Sequence, residues 1–168
     1  MNTAVIQSGV YLKFMGLIKT PIILKNYFDQ SIANDLFDKL INIRWHDGIK
    51  TRYGNVTRKA YRVDHGTYLF YYLSQYISSI LLQYPMGNVA GFYLNLYENG
   101  DMYTPTHKHI GSNQLVISLG STRSLVIGKQ NIVCENGDVV IFGEQPHSVP
   151  KTSNHAGQRI SIATFCFT

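Results

Sequence analysis

The sequence predicts a mainly β fold with supporting helices, an α+β chain built around a jelly roll or barrel. From Gly91 onwards the apolar residues fall in period-two and continuous β-branched runs. Turns punctuate these runs at Glu98-Asn99-Gly100, Gly111-Ser112-Asn113, Gly120-Ser121 and Glu135-Asn136-Gly137. Before Gly91 the apolar spacing is helical instead, so the front of the chain is expected to support the sheet.

Taken in order, an apolar run at Ile22-Ile23-Leu24 precedes Asp29 and Ser31, either of which can cap a helix. Ile32, Leu36, Phe37, Leu40 and Ile41 recur at helical spacing, so this helix is expected to run to about residue 43 with one buried stripe. A second helix is expected from about residue 68 to 83, ended by Pro85, with Leu69, Leu73, Tyr76, Ile77, Ile80 and Leu81 on its apolar side. Strands are expected at 91–97, 106–110, 114–119, 124–127, 131–134, 138–142 and 158–167. The 168 residues fit one domain that buries about 70% of its unfolded surface. No repeat, low-complexity tract or linker divides it.

Three histidines carry the clearest chemistry. His107 and His109 lie one residue apart, and on an extended segment such residues face the same way about 7 Å apart. His147 follows the strand-like run 137–142, where a turn can return a third nitrogen to the same point. Two ligands from one strand and a third from a distant one make a facial site with open positions, as in non-haem iron oxygenases. His46, His65 and His155 are read as surface or loop residues.

Charge is concentrated in one segment. The net charge is +5, and Arg44, Lys50, Arg52, Arg58, Lys59 and Arg62 are set against Asp47 alone. Trp45, Tyr53 and Tyr61 are interleaved, and bases alternating with aromatics suit phosphate contacts and base stacking. A solvated basic loop is the other reading. Cys134 and Cys166 show no CxxC spacing and are expected to be core thiols in a reducing compartment. Residues 1–9 lack a signal-peptide pattern and no run reaches the ~18 apolar residues of a membrane span, so a cytoplasmic, soluble, monomeric protein is expected.

Several motifs fall together in order: Asn95-Leu96-Tyr97-Glu98-Asn99-Gly100, His107 twelve positions after Asn95, Val116-Ile117-Ser118-Leu119-Gly120-Ser121-Thr122-Arg123, Gly137-Asp138, His147-Ser148-Val149-Pro150-Lys151 and Arg159-Ile160-Ser161. In this order and spacing they resemble the signature of the AlkB-like iron(II) and 2-oxoglutarate-dependent dioxygenases, from about Gly91 to the C-terminus. Thr57-Arg58-Lys59-Ala60-Tyr61 looks like the nucleotide-recognition lid of that family. The resemblance implies a double-stranded β-helix core in 91–168, with 10–90 as helical support and substrate lid. It implies Fe(II), 2-oxoglutarate and O2 as cofactors, with Asn95, Tyr97, Arg159 and Ser161 around the co-substrate. An arginine fork with amide and phenol donors suits a carboxylate. It further implies a nucleic-acid partner, DNA or RNA. A methylated base would be flipped out for oxidative demethylation, as in DNA repair, with Trp45, Tyr53 or Tyr61 stacking it and Arg52, Arg58 and Lys59 holding phosphates.

Two positions depart from that pattern. His109 stands where the family has aspartate, leaving three neutral imidazoles, which shifts preference from iron(II) towards nickel, copper or zinc. Phe165 stands where members carry a second arginine, six residues after Arg159. Cupins also resemble this stretch, through His107-Lys108-His109, Gln114 in place of a glutamate ligand, Gly137 and His147. A three-histidine cupin enzyme acting on a small molecule is therefore one alternative. A catalytically degenerate barrel that binds nucleic acid is another.

Overall fold

The computed structural model describes residues 3–5, 11–13, 16–47, 50–51, 54–55, 57–153 and 155–167, with side chains for 16–47, 57–153 and 155–167. Strands β1 (Thr3–Val5) and β2 (Tyr11–Lys13) pair with each other, as do β4 (Lys50–Thr51) and β5 (Gly54–Asn55). The remaining strands form two sheets. One contains β3 (Ile22–Leu24), β6 (Lys59–Val63), β7 (Asn88–Tyr97), β9 (Ser112–Gly120), β12 (Val139–Phe142) and β14 (Arg159–Phe167), in the order β3-β12-β9-β14-β7-β6. The other contains β8 (Thr104–His107), β10 (Arg123–Ile127), β11 (Gln130–Cys134) and β13 (His147–Val149), in the order β11-β10-β13-β8. Every pairing is antiparallel. This is the expected mainly β jelly roll.

Alternation along the strands assigns the two faces of the larger sheet. Leu94, Leu96, Leu115, Ile117, Leu119, Ile160 and Ile162 belong to one core, into which helices α1 (Gln30–Ile41) and α2 (Tyr68–Gln83) place Leu36, Leu40, Leu73, Ile77 and Ile80. Their neighbours along the same strands, Tyr97 and Val116, join Leu125, Ile127, Val140 and Phe142 in a second core between the sheets. The first core holds the helices against the sheet. The second leaves room for a cavity.

The helices form where their spacing and caps dictate. Asp29 accepts a hydrogen bond from the Ile32 amide at 2.9 Å, so it is the cap rather than Ser31, and the helix stops at Ile41. Thr67 caps the second helix through the Phe70 amide at 3.3 Å. Ile32, expected on the buried stripe, is 38% exposed, and Ala33 takes the buried place beside Leu36. Strand β8 ends at His107, short of the expected residue 110, because the chain turns through Gly111 at φ 73°.

The Gly137-Asp138 turn anchors the helical layer to the sheet. Gly137 has φ 88°, and a Cβ there would stand 2.3 Å from the Phe28 carbonyl oxygen. Buried Asp138 accepts hydrogen bonds from the Asn26 amide at 2.9 Å, the Glu135 amide at 2.7 Å and the Lys25 ammonium. Both cysteines are buried free thiols, Cys134 between the sheets and Cys166 on the helix side, where burial pushes its pKa up to about 12. No described helix is long and apolar enough to cross a membrane.

Candidate functional site

A cavity of about 660 Å³ opens between the sheets. Its wall follows from strand register. Pairing of β14 with β7 sets Arg159 opposite Tyr97, Ser161 opposite Asn95 and Ala163 opposite Tyr93. Pairing of β14 with β9 sets Phe165 opposite Gln114. All of these residues line the cavity, so one inward-facing column of β14 presents a cation, a hydroxyl and then apolar groups in succession.

The three predicted histidines meet in this cavity. Strand β13 pairs with β8 so that His147 lies directly across from His107, and His109 reaches the same point from the turn beyond β8. One potential ligand atom from each lies within 4.8 Å of those of the other two. The His107 Nδ1 and Pro105 carbonyl are 2.9 Å apart, and the His147 Nδ1 and Gln145 carbonyl 3.0 Å. A carbonyl only accepts, so each Nδ1 carries the proton and each Nε2 carries the lone pair a metal requires.

Burial keeps the imidazoles neutral. It pushes the His147 pKa down to about 3, against a smaller opposing effect of the Gln145 carbonyl and with help from the other two rings. It pushes the His109 pKa down to about 4, with His107 adding to the shift. His107 is lowered as well, first by burial and then, against the Pro105 bond, by the Arg58 charge. The Phe165 ring packs edge-on against His109 with centroids 4.8 Å apart, and Phe142 against His147 at 4.8 Å. Three neutral imidazoles clamped by aromatic rings are a donor set fit for a divalent metal.

At Arg159 the cavity is cationic. The guanidinium is fully buried and lies 5.3 Å from the centroid of the Tyr97 ring. Its Nη2 donates to Ser118 Oγ at 2.9 Å, while Nε and Nη1 have no partner. Asn95 Nδ2 donates to Ser161 Oγ at 3.1 Å, and its Oδ1 is also without a partner. Since the serine hydroxyl can donate as readily as accept, the amide can be turned to offer Nδ2 to an anion without losing that bond. The Tyr97 hydroxyl is 2.7 Å from Thr104 Oγ1.

A second buried arginine, Arg123, belongs to the Val116–Arg123 motif but has no role assigned from the sequence. Its guanidinium lies 5.2 Å from the Tyr97 ring centroid and donates to the carbonyls of Asn99, Met102 and Pro150 at 2.7–2.9 Å. Burial, and then the charge of Arg159, push its pKa down. Its period-two spacing with Leu125 and Ile127 on β10 was the available signal, because all three share the buried face.

The basic segment is divided by the fold. Arg58 lines the cavity. Lys59 pairs with Glu98 at 2.9 Å. Tyr61, opposite Leu94 on the helix-facing side of β6, packs with Trp45 against the first core, and the Trp45 indole donates to the Ile41 carbonyl at 3.1 Å. These three residues therefore stand outside the cavity they were expected to line, because the pleat turns Tyr61 and Lys59 to the other face. Arg52 and Tyr53 lie outside the described residues.

No family model and no curated protein matches the chain. Solved structures do. The viral collagen prolyl hydroxylase of Paramecium Bursaria Chlorella virus-1, solved as its 2OG complex, superposes with a TM-score of 0.64 at 10% identity, over 88% of this chain and 97% of that one. The chain shares the jelly-roll fold of that enzyme. HygX from Streptomyces hygroscopicus, solved with nickel, 2-oxoglutarate and hygromycin B bound, gives 0.65 at 10% identity over 88% and 83%. A predicted oxalate decarboxylase from Thermotoga maritima gives 0.53 at 15% identity over 76% and 96%. What the chain shares with all three, at such identities, is architecture.

Proposed function

We propose that the chain is a 2-oxoglutarate-dependent oxygenase with a three-histidine metal centre. One observation carries the reading: three neutral imidazoles converge in a cavity that also holds a fully buried, acid-free arginine, Arg159. An unpaired buried guanidinium is costly, and a carboxylate of the co-substrate would relieve it.

His107, His109 and His147 would hold the metal, with iron(II) the expected ion. Bound there with 2-oxoglutarate, it would supply oxygen activation for oxidation of a C–H bond. Arg159, with Asn95, Tyr97 and Ser161, would fix the distal carboxylate and so aim the co-substrate. Tyr93, Ala163 and Phe165 would exclude water beside the histidines.

The finer reading, AlkB-like dealkylation of a methylated base, draws on Arg58 among the described residues. Trp45 and Tyr61, the expected base-stacking rings, pack against the helical layer. That favours a peptide or small-molecule substrate, the kind of molecule named for the collagen prolyl hydroxylase and bound in HygX. The three-imidazole set equally suits a cupin-type enzyme, but that reading gives Arg159 no role.

Anaerobic titration of the iron(II)-loaded protein with 2-oxoglutarate tests the proposal. A visible charge-transfer band that is absent in Arg159→Met at the same concentration is expected. Firmly bound iron without any band would sink the oxygenase reading in favour of the cupin one.

A further inference from the structure

We propose that Arg58 is the receptor for an anionic group of the substrate, and that the substrate is a small apolar carboxylic acid. The inference deepens the oxygenase reading and rests on it for the place of the metal.

The cavity's charge balance motivates it. Among the described residues, the charged side chains lining it are the three guanidiniums of Arg58, Arg62 and Arg159 and the one carboxylate of Asp64. Asp64 is paired with Arg62 at 3.5 Å, and both side chains are 72% exposed, so that pair belongs to the rim. His107, His109 and His147 add no charge, because burial holds them neutral. Two positive charges are thus left over before any metal enters, and a divalent ion doubles the excess. A dicarboxylate co-substrate cancels only half of the resulting charge. In a two-histidine, one-carboxylate centre a ligand would supply a further negative charge, but here His109 takes that place. The surplus favours a further anion.

Arg58 is where that anion finds a partner. The neighbouring cations are engaged, Lys59 with Glu98 and Arg62 with Asp64. No ion pair reaches Arg58 among the described residues, and its Nη1 is buried with no hydrogen-bond partner. Next to it, Thr57 Oγ1 accepts from the Tyr103 amide at 3.0 Å and ties the segment entering β6 to the one entering β8. His107 ends that same strand, and Arg58 and His107 line one cavity.

The walls define the rest of the molecule. Tyr93, Ala163, Phe165 and Phe167 are apolar lining groups, and Phe165 spans from His109 to Tyr93 with ring centroids 4.8 and 6.1 Å away. About 660 Å³ accommodates a dicarboxylate and a second molecule of comparable size. Nucleic-acid phosphates are met by a stripe of exposed cations, whereas among the described residues of this segment Lys59 and Arg62 are paired with acids and Arg58 lines the cavity.

The test uses the zinc-loaded full chain saturated with 2-oxoglutarate, titrated calorimetrically with 3-phenylpropanoate and with its uncharged amide. The acid should bind at least about tenfold more tightly than the amide. Arg58→Gln should erase that preference, leave 2-oxoglutarate affinity within about twofold, and change the melting temperature little, since the half-buried side chain makes no ion pair among the described residues. Arg58→Lys should retain part of the preference, and Arg62→Gln all of it. Equal or absent binding of acid and amide would overturn the proposal. So would a tenfold loss of 2-oxoglutarate affinity in Arg58→Gln, which would assign Arg58 to the co-substrate. A short oligonucleotide whose binding depends on Arg58, without acid preference, would overturn it in favour of nucleic acid. Should the protein fail to hold zinc or 2-oxoglutarate, the oxygenase reading fails. The acid and amide comparison in metal-free protein, with Arg159→Met as control, still decides the role of Arg58.

Discussion

Lowering the pH should destabilise the metal-free protein through its histidines, by an amount that can be worked out. An unfolded histidine has a pKa of about 6.5. Folded His147 titrates at about 3 and His109 at about 4 because burial disfavours the imidazolium. Between those values and 6.5 the unfolded chain binds more protons than the folded one, so stability is full above about pH 6.5 and falls as the pH drops through that window. At pH 5, one and a half units below the unfolded value, each fully buried group costs about 2 kcal/mol. For the partly exposed His109 solvent screening reduces this to about 1 kcal/mol. The two together should remove about 3 kcal/mol between pH 7 and 5, and lowered His107 acts in the same direction. Urea denaturation at both pH values measures the loss, and His147→Gln should abolish about 2 kcal/mol of it. A variant that loses as much stability as the natural chain would refute the claim that His147 is held neutral by burial.

Three further outcomes are expected. Arg159→Met should melt no lower than the natural protein, because a buried charge without an acid partner is removed, yet bind 2-oxoglutarate at least about tenfold more weakly by calorimetry. His109→Asp should strengthen iron(II) binding and raise 2-oxoglutarate decarboxylation, followed as carbon dioxide release; a fall in turnover with iron still bound would mean that the three-imidazole set is tuned to its own chemistry. Gly137→Ala, with φ 88° and a Cβ 2.3 Å from the Phe28 carbonyl, should cost at least about 2 kcal/mol and lower the melting temperature by about 4–8 °C in calorimetric scans.

Local patterns made much of the molecule legible. Helical spacing and the stop at Pro85 located α2, and alternation located β7, β9 and β14 to within a few residues. Strand β13 was not anticipated, since three residues after a proline carry no periodicity. The buried side of β6 was also missed. Lys59-Ala60-Tyr61-Arg62-Val63 alternates, but only its pairing with β7 shows that Tyr61 and Val63 share the helix-facing side and Ala60 and Arg62 the other. The role of Arg123 was not legible because a charge on an apolar face reads as an exception until the carbonyls that satisfy it are known.

The set Asn95, Tyr97, Arg159 and Ser161 came from the family resemblance, while the sequence by itself determined the fold class, the two helices, and three histidines able to serve one metal. These follow from periodicity, turn chemistry and side-chain type, which act over a few residues. Tertiary structure alone decided that His147 lies opposite His107, that Nδ1 of each is claimed by a carbonyl, that Tyr61 and Trp45 face the helices, and that Arg58 and Arg159 share a cavity without an acid of their own. Those outcomes depend on register between strands distant in sequence, where a shift of one residue turns every side chain to the opposite face.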